Sequence, residues 1–192
     1  MIKAIIFDCF GVLTSDTLLE LLRERVHDEA DWQELWRRDD QVNQGEISFD
    51  EYVEYVGSLV GLSRDETRQV FGTNSPNQRL LAYVRTLAPQ YKLAMLSNMA
   101  HDSVDELIGA ENRKLFDIII LSCDVGMVKP DPQMYLKCAE ALGCQPEECL
   151  FVDDKARYCE PARALGMQTI VYDTFSSFQT DCDKLRGGAV QY

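Results

Sequence analysis

Four short apolar stretches of this chain each run into a side chain that can do chemistry. "AIIF" (Ala4–Phe7) is followed by Asp8, and "KLAML" (Lys92–Leu96) by Ser97 and Asn98. "DIIIL" (Asp117–Leu121) is followed, beyond a short loop, by Lys129 in "GMVKPDP", and "CLFV" (Cys149–Val152) by Asp153 and Asp154. Singly, each group has an ordinary explanation: a helix N-cap for an aspartate, a turn hydroxyl for Ser97, a solvated loop amine for Lys129. Together they suit one task. Clustered carboxylates hold Mg2+, which uses one or two of them and keeps positions for phosphate oxygens. An ammonium and a hydroxyl neutralise and orient a tetrahedral anion, and an aspartate beside the metal can attack phosphorus.

The elements that must position these groups are legible from pattern. The four stretches are short, apolar and rich in β-branched residues, as buried parallel strands are, and "QTIVY" (Gln168–Tyr172) reads as a fifth. Helical patterns lie between them: "QRLLAYVRTLA" (Gln78–Ala88), "DSVDELIGA" (Asp102–Ala110), "DPQMYLKCAEALG" (Asp131–Gly143) and "EPARALG" (Glu160–Gly166). The alternation predicts a doubly wound parallel α/β sheet, in which ligands bind beyond the carboxyl ends of the strands. Residues 15–75 break the rhythm with four helical patterns: Asp16–Val26, Asp31–Arg38, Ser48–Val60 and Ser63–Phe71. Ser48 with Glu51, and Ser63 with Glu66, make capping-box patterns. The segment is too long for a βα loop. It reads as a small α-helical domain (15–75) inserted into a core made of 1–14 and 76–192, with "GGAVQY" (Gly187–Tyr192) as a loose tail.

Composition excludes several partners. The 192 residues are 46% hydrophobic, enough for one sizeable core. With 19 Lys+Arg against 32 Asp+Glu the net charge is −13, which disfavours nucleic acid and anionic membrane surfaces. The seven cysteines form no C-x-x-C pair and the two histidines, His27 and His101, stand apart from them, so buried free thiols are expected rather than zinc ligands. With no secretory leader pattern and no long apolar run, the expected location is cytoplasmic.

These motifs carry a resemblance. "FDCFGVL" (Phe7–Leu13), "LSN" (Leu96–Asn98), "KPDPQMY" (Lys129–Tyr135) and "FVDD" (Phe151–Asp154) resemble, in order, the four motifs of the haloacid dehalogenase (HAD) superfamily. "GEISFDEY" (Gly45–Tyr52) resembles a recurring stretch of its small helical caps, and the likeness covers about residues 2–175. The resemblance implies a HAD-like, Rossmannoid hydrolase acting on a small phosphorylated metabolite. It makes Asp8 the nucleophile, with Ser97 binding the transferring group through its hydroxyl and the Asn98 backbone N–H helping. It has Lys129 neutralise charge, and Mg2+ held by Asp8, Asp153, Asp154 and the Phe10 backbone carbonyl. Asn98 and Phe10 would face the substrate, and the cap arginines Arg23, Arg37, Arg38, Arg64 and Arg68 are candidates for specificity.

One departure matters. Phosphatases of the superfamily carry a second aspartate two residues after the nucleophile, where this chain has Phe10. The backbone ligand survives; the general acid/base, worth about 10²–10⁴ in rate, does not. Three outcomes stay open: a phosphatase of good leaving groups such as aryl or acyl phosphates, or one that borrows an acid; a 2-haloacid dehalogenase-like C–X hydrolase; or a catalytically weak or inactive binding protein. The dehalogenase branch has a tyrosine at this position and uses a cap arginine, for which Arg37 is the candidate, but it has little need of Asp153–Asp154. The phosphonate-hydrolysing branch uses a cap lysine, and this chain has no lysine between Lys3 and Lys92. Tyr158 stands where members often have asparagine, and no G-x-S-x-G elbow surrounds Ser97 to support a serine hydrolase with His101.

Overall fold

In the computed structural model, which describes residues 1–185, strand β1 (Ala4–Phe7) lies at the middle of a five-stranded parallel sheet. The other strands are β2 (Lys92–Ser97), β3 (Ile118–Leu121), β4 (Cys149–Asp153) and β5 (Gln168–Val171), in spatial order β3-β2-β1-β4-β5. Every residue of β1 is buried, as expected of a central strand covered on both faces. Side chains alternate between the faces. Ile5 and Phe7 pack with Leu80, Val84 and Phe178 on one side, while Ala4 and Ile6 pack with Met134, Cys138 and Phe151 on the other. The chain winds outward from β1 through β2 to β3, then returns to β4 on the opposite side. The reversal puts a crevice at the carboxyl ends of β1 and β4.

Four helices follow β1 directly: α1 (Thr17–Arg25), α2 (Glu29–Gln44), α3 (Phe49–Val60) and α4 (Arg64–Phe71). They share a hydrophobic cluster of their own that includes Leu22, Leu35, Val42, Val56 and Val60. Both expected capping boxes are formed, Ser48 with Glu51 and Ser63 with Glu66. The segments entering and leaving this helical unit run side by side: the Ser15 N–H donates to the Ser75 carbonyl at 2.9 Å, the Thr14 hydroxyl to the same carbonyl at 3.0 Å, and the Asn77 N–H to the Leu13 carbonyl at 2.8 Å.

The remaining helices are α5 (Gln78–Leu87), α6 (Val104–Ile108), α7 (Ala110–Arg113), α8 (Ser122–Val125), α9 (Pro132–Leu142), α10 (Ala156–Ala164) and α11 (Phe175–Leu185). Several differ from expectation. Helix α2 extends well beyond Arg38, because Val42 and Asn43 are buried on a stretch whose polar neighbours hide the pattern. The helix expected over Asp102–Ala110 is broken at Gly109, and α8 occupies part of what read as the loop before Lys129. Helix α10 starts four residues earlier than Glu160 and contains Pro161, whose missing N–H forfeits one bond of the ladder. Helix α11 was not anticipated; its Phe178 and Cys182, one turn apart, are both buried. The tail from Gly187 lies outside the described residues. Six of the seven cysteines are buried and Cys123 is exposed. Among the described residues no helix is long and apolar enough to cross a membrane.

Candidate active site

Asp8 is the first residue past β1, and its N–H donates to the Val152 carbonyl at 2.9 Å, so the β1–β4 ladder itself fixes its position. Lys129 arrives from the β3–α9 connection and is held by Asn98. The Asn98 Oδ1 accepts from the Lys129 N–H at 2.8 Å and its Nδ2 donates to the Lys129 carbonyl at 3.0 Å. So fixed, the Lys129 ammonium is 1% exposed and lies 2.8 Å from Asp8 Oδ1 and 2.7 Å from Asp153 Oδ2. The Tyr158 ring lies 4.9 Å away, presenting an aromatic face to the same charge. Burial alone would lower the Lys129 pKa, but the Asp153 and Asp8 carboxylates outweigh it and hold the group above its ordinary value. It is a permanent cation at neutral pH.

Asp153 is fully buried and held from two sides, by Lys129 on Oδ2 and by the Lys155 N–H on Oδ1 at 2.9 Å. Burial pushes its carboxyl up and the Lys129 ammonium opposes that. Asp154 is different. Its Oδ1 is buried and has no hydrogen-bond partner among the described residues, and burial, opposed by Lys155 and reinforced by Asp8 and Asp153, pushes its pKa up to about 7. Gly11 makes room for it. At φ +75° the position already favours glycine, and a Cβ there would lie 2.6 Å from Asp154 Oδ2.

These residues fit a metal. Asp8, Asp153 and Asp154 each offer a carboxylate oxygen, and the three atoms lie within 4.8 Å of one another. Asp8 and Asp153 share the single Lys129 ammonium, and Asp154 adds a third carboxylate beside them, so the cluster holds more negative charge than its bridging ammonium neutralises. A divalent cation would neutralise that excess, and the orphaned Asp154 oxygen is a ligand in want of one.

A cavity of about 350 Å³ lies between this cluster and the helices α1–α4. Asp8, Phe10, Asn98 and Lys129 line one end; Leu22, Leu35, Trp36, Tyr52 and Phe71 are among the residues lining the rest. Ser97 is fully buried and is not part of the lining; its hydroxyl lies 3.5 Å from the Asn98 carbonyl. Arg37 does not join the cluster. It is exposed, paired with both oxygens of Glu34 at 2.6 Å and with Gln41 at 2.9 Å, and it lies outside the lining. Arg38, Arg64 and Arg68 are likewise bound to Glu34, Asp50 and Asp50, and Arg23 lines only a side groove.

Sequence reasoning missed three groups in the cavity. Lys155 Nζ lies 3.5 Å from Asp16 Oδ2, and Asp16 also caps α1 by accepting from the Leu19 N–H at 3.1 Å. That pair ties the helical unit to the loop carrying Asp153 and Asp154. Asp39 lines the cavity and accepts from the Tyr52 hydroxyl at 3.2 Å; burial raises its carboxyl, with Lys155 and Arg157 opposing. Lys155 could have been found from its place directly after "FVDD". Asp39 could not, since "RRDD" reads as a solvated helix face.

The chain's relatives are consistent with this geometry. Residues 2–166 match the haloacid dehalogenase-like hydrolase family. A sesquiterpene phosphatase of Aspergillus oryzae is 31% identical over 178 residues, covering 86% of this chain and 87% of that protein. A match to bifunctional epoxide hydrolase 2 of Sus scrofa is 40% identical over 77 residues but spans only 14% of that protein's length. In fold, the chain is similar to a HAD-family enzyme of Bacteroides thetaiotaomicron in complex with magnesium and inorganic phosphate (TM-score 0.67, 21% identity, 93% of this chain and 99% of that one). It is also similar to the L-2-haloacid dehalogenase of Xanthobacter autotrophicus with chloropropionic acid covalently bound (TM-score 0.68, 22% identity, 100% and 85%). With the family match over most of its length, the chain belongs to the haloacid dehalogenase-like hydrolases.

Proposed function

We propose that this hydrolase is a Mg2+-dependent phosphatase that works through a phosphoryl group carried on Asp8. The observation that carries the reading is the buried Lys129 bridge between Asp8 and Asp153 beside an Asp154 oxygen with no partner. Bound Mg2+, held by Asp8, Asp154 and the Phe10 carbonyl with Asp153 beside it, would neutralise charge on the phosphoryl oxygens. The phosphatase activity named for the Aspergillus oryzae relative supports the same class of substrate.

The chain's own residues supply the rest. An Asp8 carboxylate oxygen forms a bond to phosphorus while the bond from phosphorus to the ester oxygen breaks, its electron pair leaving with that oxygen. Lys129, 2.8 Å from Asp8 Oδ1, holds the nucleophile aimed and stabilises negative charge as it shifts onto the leaving group. Water then attacks phosphorus, regenerating Asp8 and releasing inorganic phosphate. Phe10 offers no proton in either step, so the leaving group departs as its anion and takes a proton from solvent. Ser97, through its hydroxyl, and Asn98, through its backbone N–H, are assigned to the transferring group. The helical unit, residues 15–75, acts as a cap on the core formed by 1–14 and 76–192, and the substrate is a small phosphorylated molecule in the cavity between them.

Carbon–halogen hydrolysis is the second reading, because halide leaves without the proton that Phe10 cannot give. Its arginine candidate is turned away: Arg37 is bound to Glu34 and Gln41 outside the cavity, while two further carboxylates, Asp153 and Asp154, crowd the nucleophile. A panel of aryl and acyl phosphates and 2-haloacids, with and without Mg2+, on wild type and Asp8→Asn, separates the readings. Mg2+-dependent phosphate release lost in Asp8→Asn is expected. Metal-independent halide release would overturn the proposal. Mg2+ binding with turnover of neither class would leave a binding protein.

A further inference from the structure

We infer that the ester this site accepts is an aryl monophosphate whose body is apolar and carries no second charge, an inference that rests on the phosphatase reading. Size, wall chemistry and the proton supply converge on it. The cavity of about 350 Å³ lies at the small end of the roughly 300–1,000 Å³ typical of ligand pockets, and it has room for a phosphate carrying one substituted aromatic ring.

The walls set its polarity. Leu22, Leu35, Phe49 and Phe71 from the helical unit, with Phe10 beside the nucleophile, give the leaving group an apolar surround. The charges that remain are wrong for a second anionic group. Asp16, Asp39 and Glu106 line the cavity, and its two lysines are already engaged, Lys129 with Asp8 and Asp153 and Lys155 with Asp16. A carboxylate or second phosphate on the substrate would face carboxylates and meet no free ammonium among the lining residues.

The missing acid points the same way. With Phe10 in place of a proton donor, the leaving oxygen must depart as a stable anion, and a phenol oxygen does so where an alkanol oxygen does not. An aryl body therefore answers both the shape of the cavity and the chemistry beside Asp8.

The test is kcat/KM with Mg2+ for phenyl, 4-methylphenyl and 4-carboxyphenyl phosphate and for glucose 6-phosphate. The carboxyl group leaves the phenol no worse a leaving group, so any loss with 4-carboxyphenyl phosphate reads the cavity alone. Phenyl phosphate is expected to exceed 4-carboxyphenyl phosphate at least about tenfold, and an added methyl to raise kcat/KM up to about fourfold. Asp39→Asn should narrow the phenyl to 4-carboxyphenyl ratio severalfold. Equal rates for the two aryl esters, or preference for glucose 6-phosphate, would overturn the inference while leaving the phosphatase reading intact. Binding of the same four esters to Asp8→Asn, measured by calorimetry, reads the preference without turnover. Selective binding with no turnover in wild type would fail the phosphatase reading alone, and unselective binding would overturn the inference.

Discussion

Replacing Lys129 with methionine keeps most of the side-chain volume and removes the charge that joins Asp8 to Asp153. In the folded protein the ammonium lies 2.8 Å from Asp8 and 2.7 Å from Asp153. At an effective dielectric of about 20, a contact of 2.8 Å is worth roughly 6 kcal/mol gross. Desolvating the ammonium takes back several kcal/mol, and stranding the partners of a buried pair costs about 3–5 kcal/mol net. For a chain of this size that is a fall in Tm of about 6–20 °C at pH 7. The deficit should depend on pH. Without Lys129 the Asp153 carboxylate, already pushed up by burial, loses the ammonium that opposes the rise, so the penalty is present above its raised folded value. It shrinks as pH falls through that value toward the unfolded value of about 3.9. Lys129 itself stays charged in both states across this range, so wild type has no matching dependence from it. Thermal unfolding of wild type and Lys129→Met from pH 4 to 8, with and without Mg2+, measures all of this. Mg2+ should stabilise the variant more than wild type, since it would supply part of the lost positive charge. A loss under about 1 kcal/mol at pH 7, or a deficit that grows on acidification, would refute the reasoning.

Three further outcomes follow from the same geometry. Phe10→Asp restores a proton-transferring group beside Asp8 and should raise turnover of alkyl phosphates by about 10²–10⁴, with less effect on aryl esters, as steady-state kinetics would show. Asp154, with its pKa pushed up to about 7, must lose its proton to bind a metal. Mg2+ affinity measured by calorimetry should therefore be level above pH 7 and fall about tenfold per unit below it. Gly11→Ala would push a Cβ into the Asp154 carboxylate at a φ of +75° and should weaken Mg2+ binding at least tenfold; unchanged affinity would show that Asp154 is not a ligand.

Much of the site was legible because a parallel sheet advertises its working rim. Asp8, Asn98, Asp153 and Asp154 sit at or just beyond strand ends that apolar runs of four or five residues mark plainly, and Lys129 follows the third such run on the connection to α9. The order of those runs, with the helical insertion between the first two, also gave the doubly wound topology. What stayed hidden depends on tertiary approach. Nothing local in "RRDD" separates Asp39, which lines the cavity, from Arg37, which turns to Glu34 in solvent. The clamp of Asn98 on the Lys129 backbone joins residues 31 positions apart. The Lys155–Asp16 link crosses from the core to the first inserted helix. Helix α11 went unread because Phe175, Phe178 and Cys182, which pack on the core, are spread through an otherwise polar stretch.

The claim on which the rest depends is that Asp8 takes the phosphoryl group. Rapid quenching of the enzyme during turnover of phenyl phosphate with Mg2+, followed by mass spectrometry of its peptides, tests it directly. One phosphoryl group on the peptide that contains Asp8, absent from Asp8→Asn, is the expected result. Continued turnover of phenyl phosphate by Asp8→Asn would contradict the account.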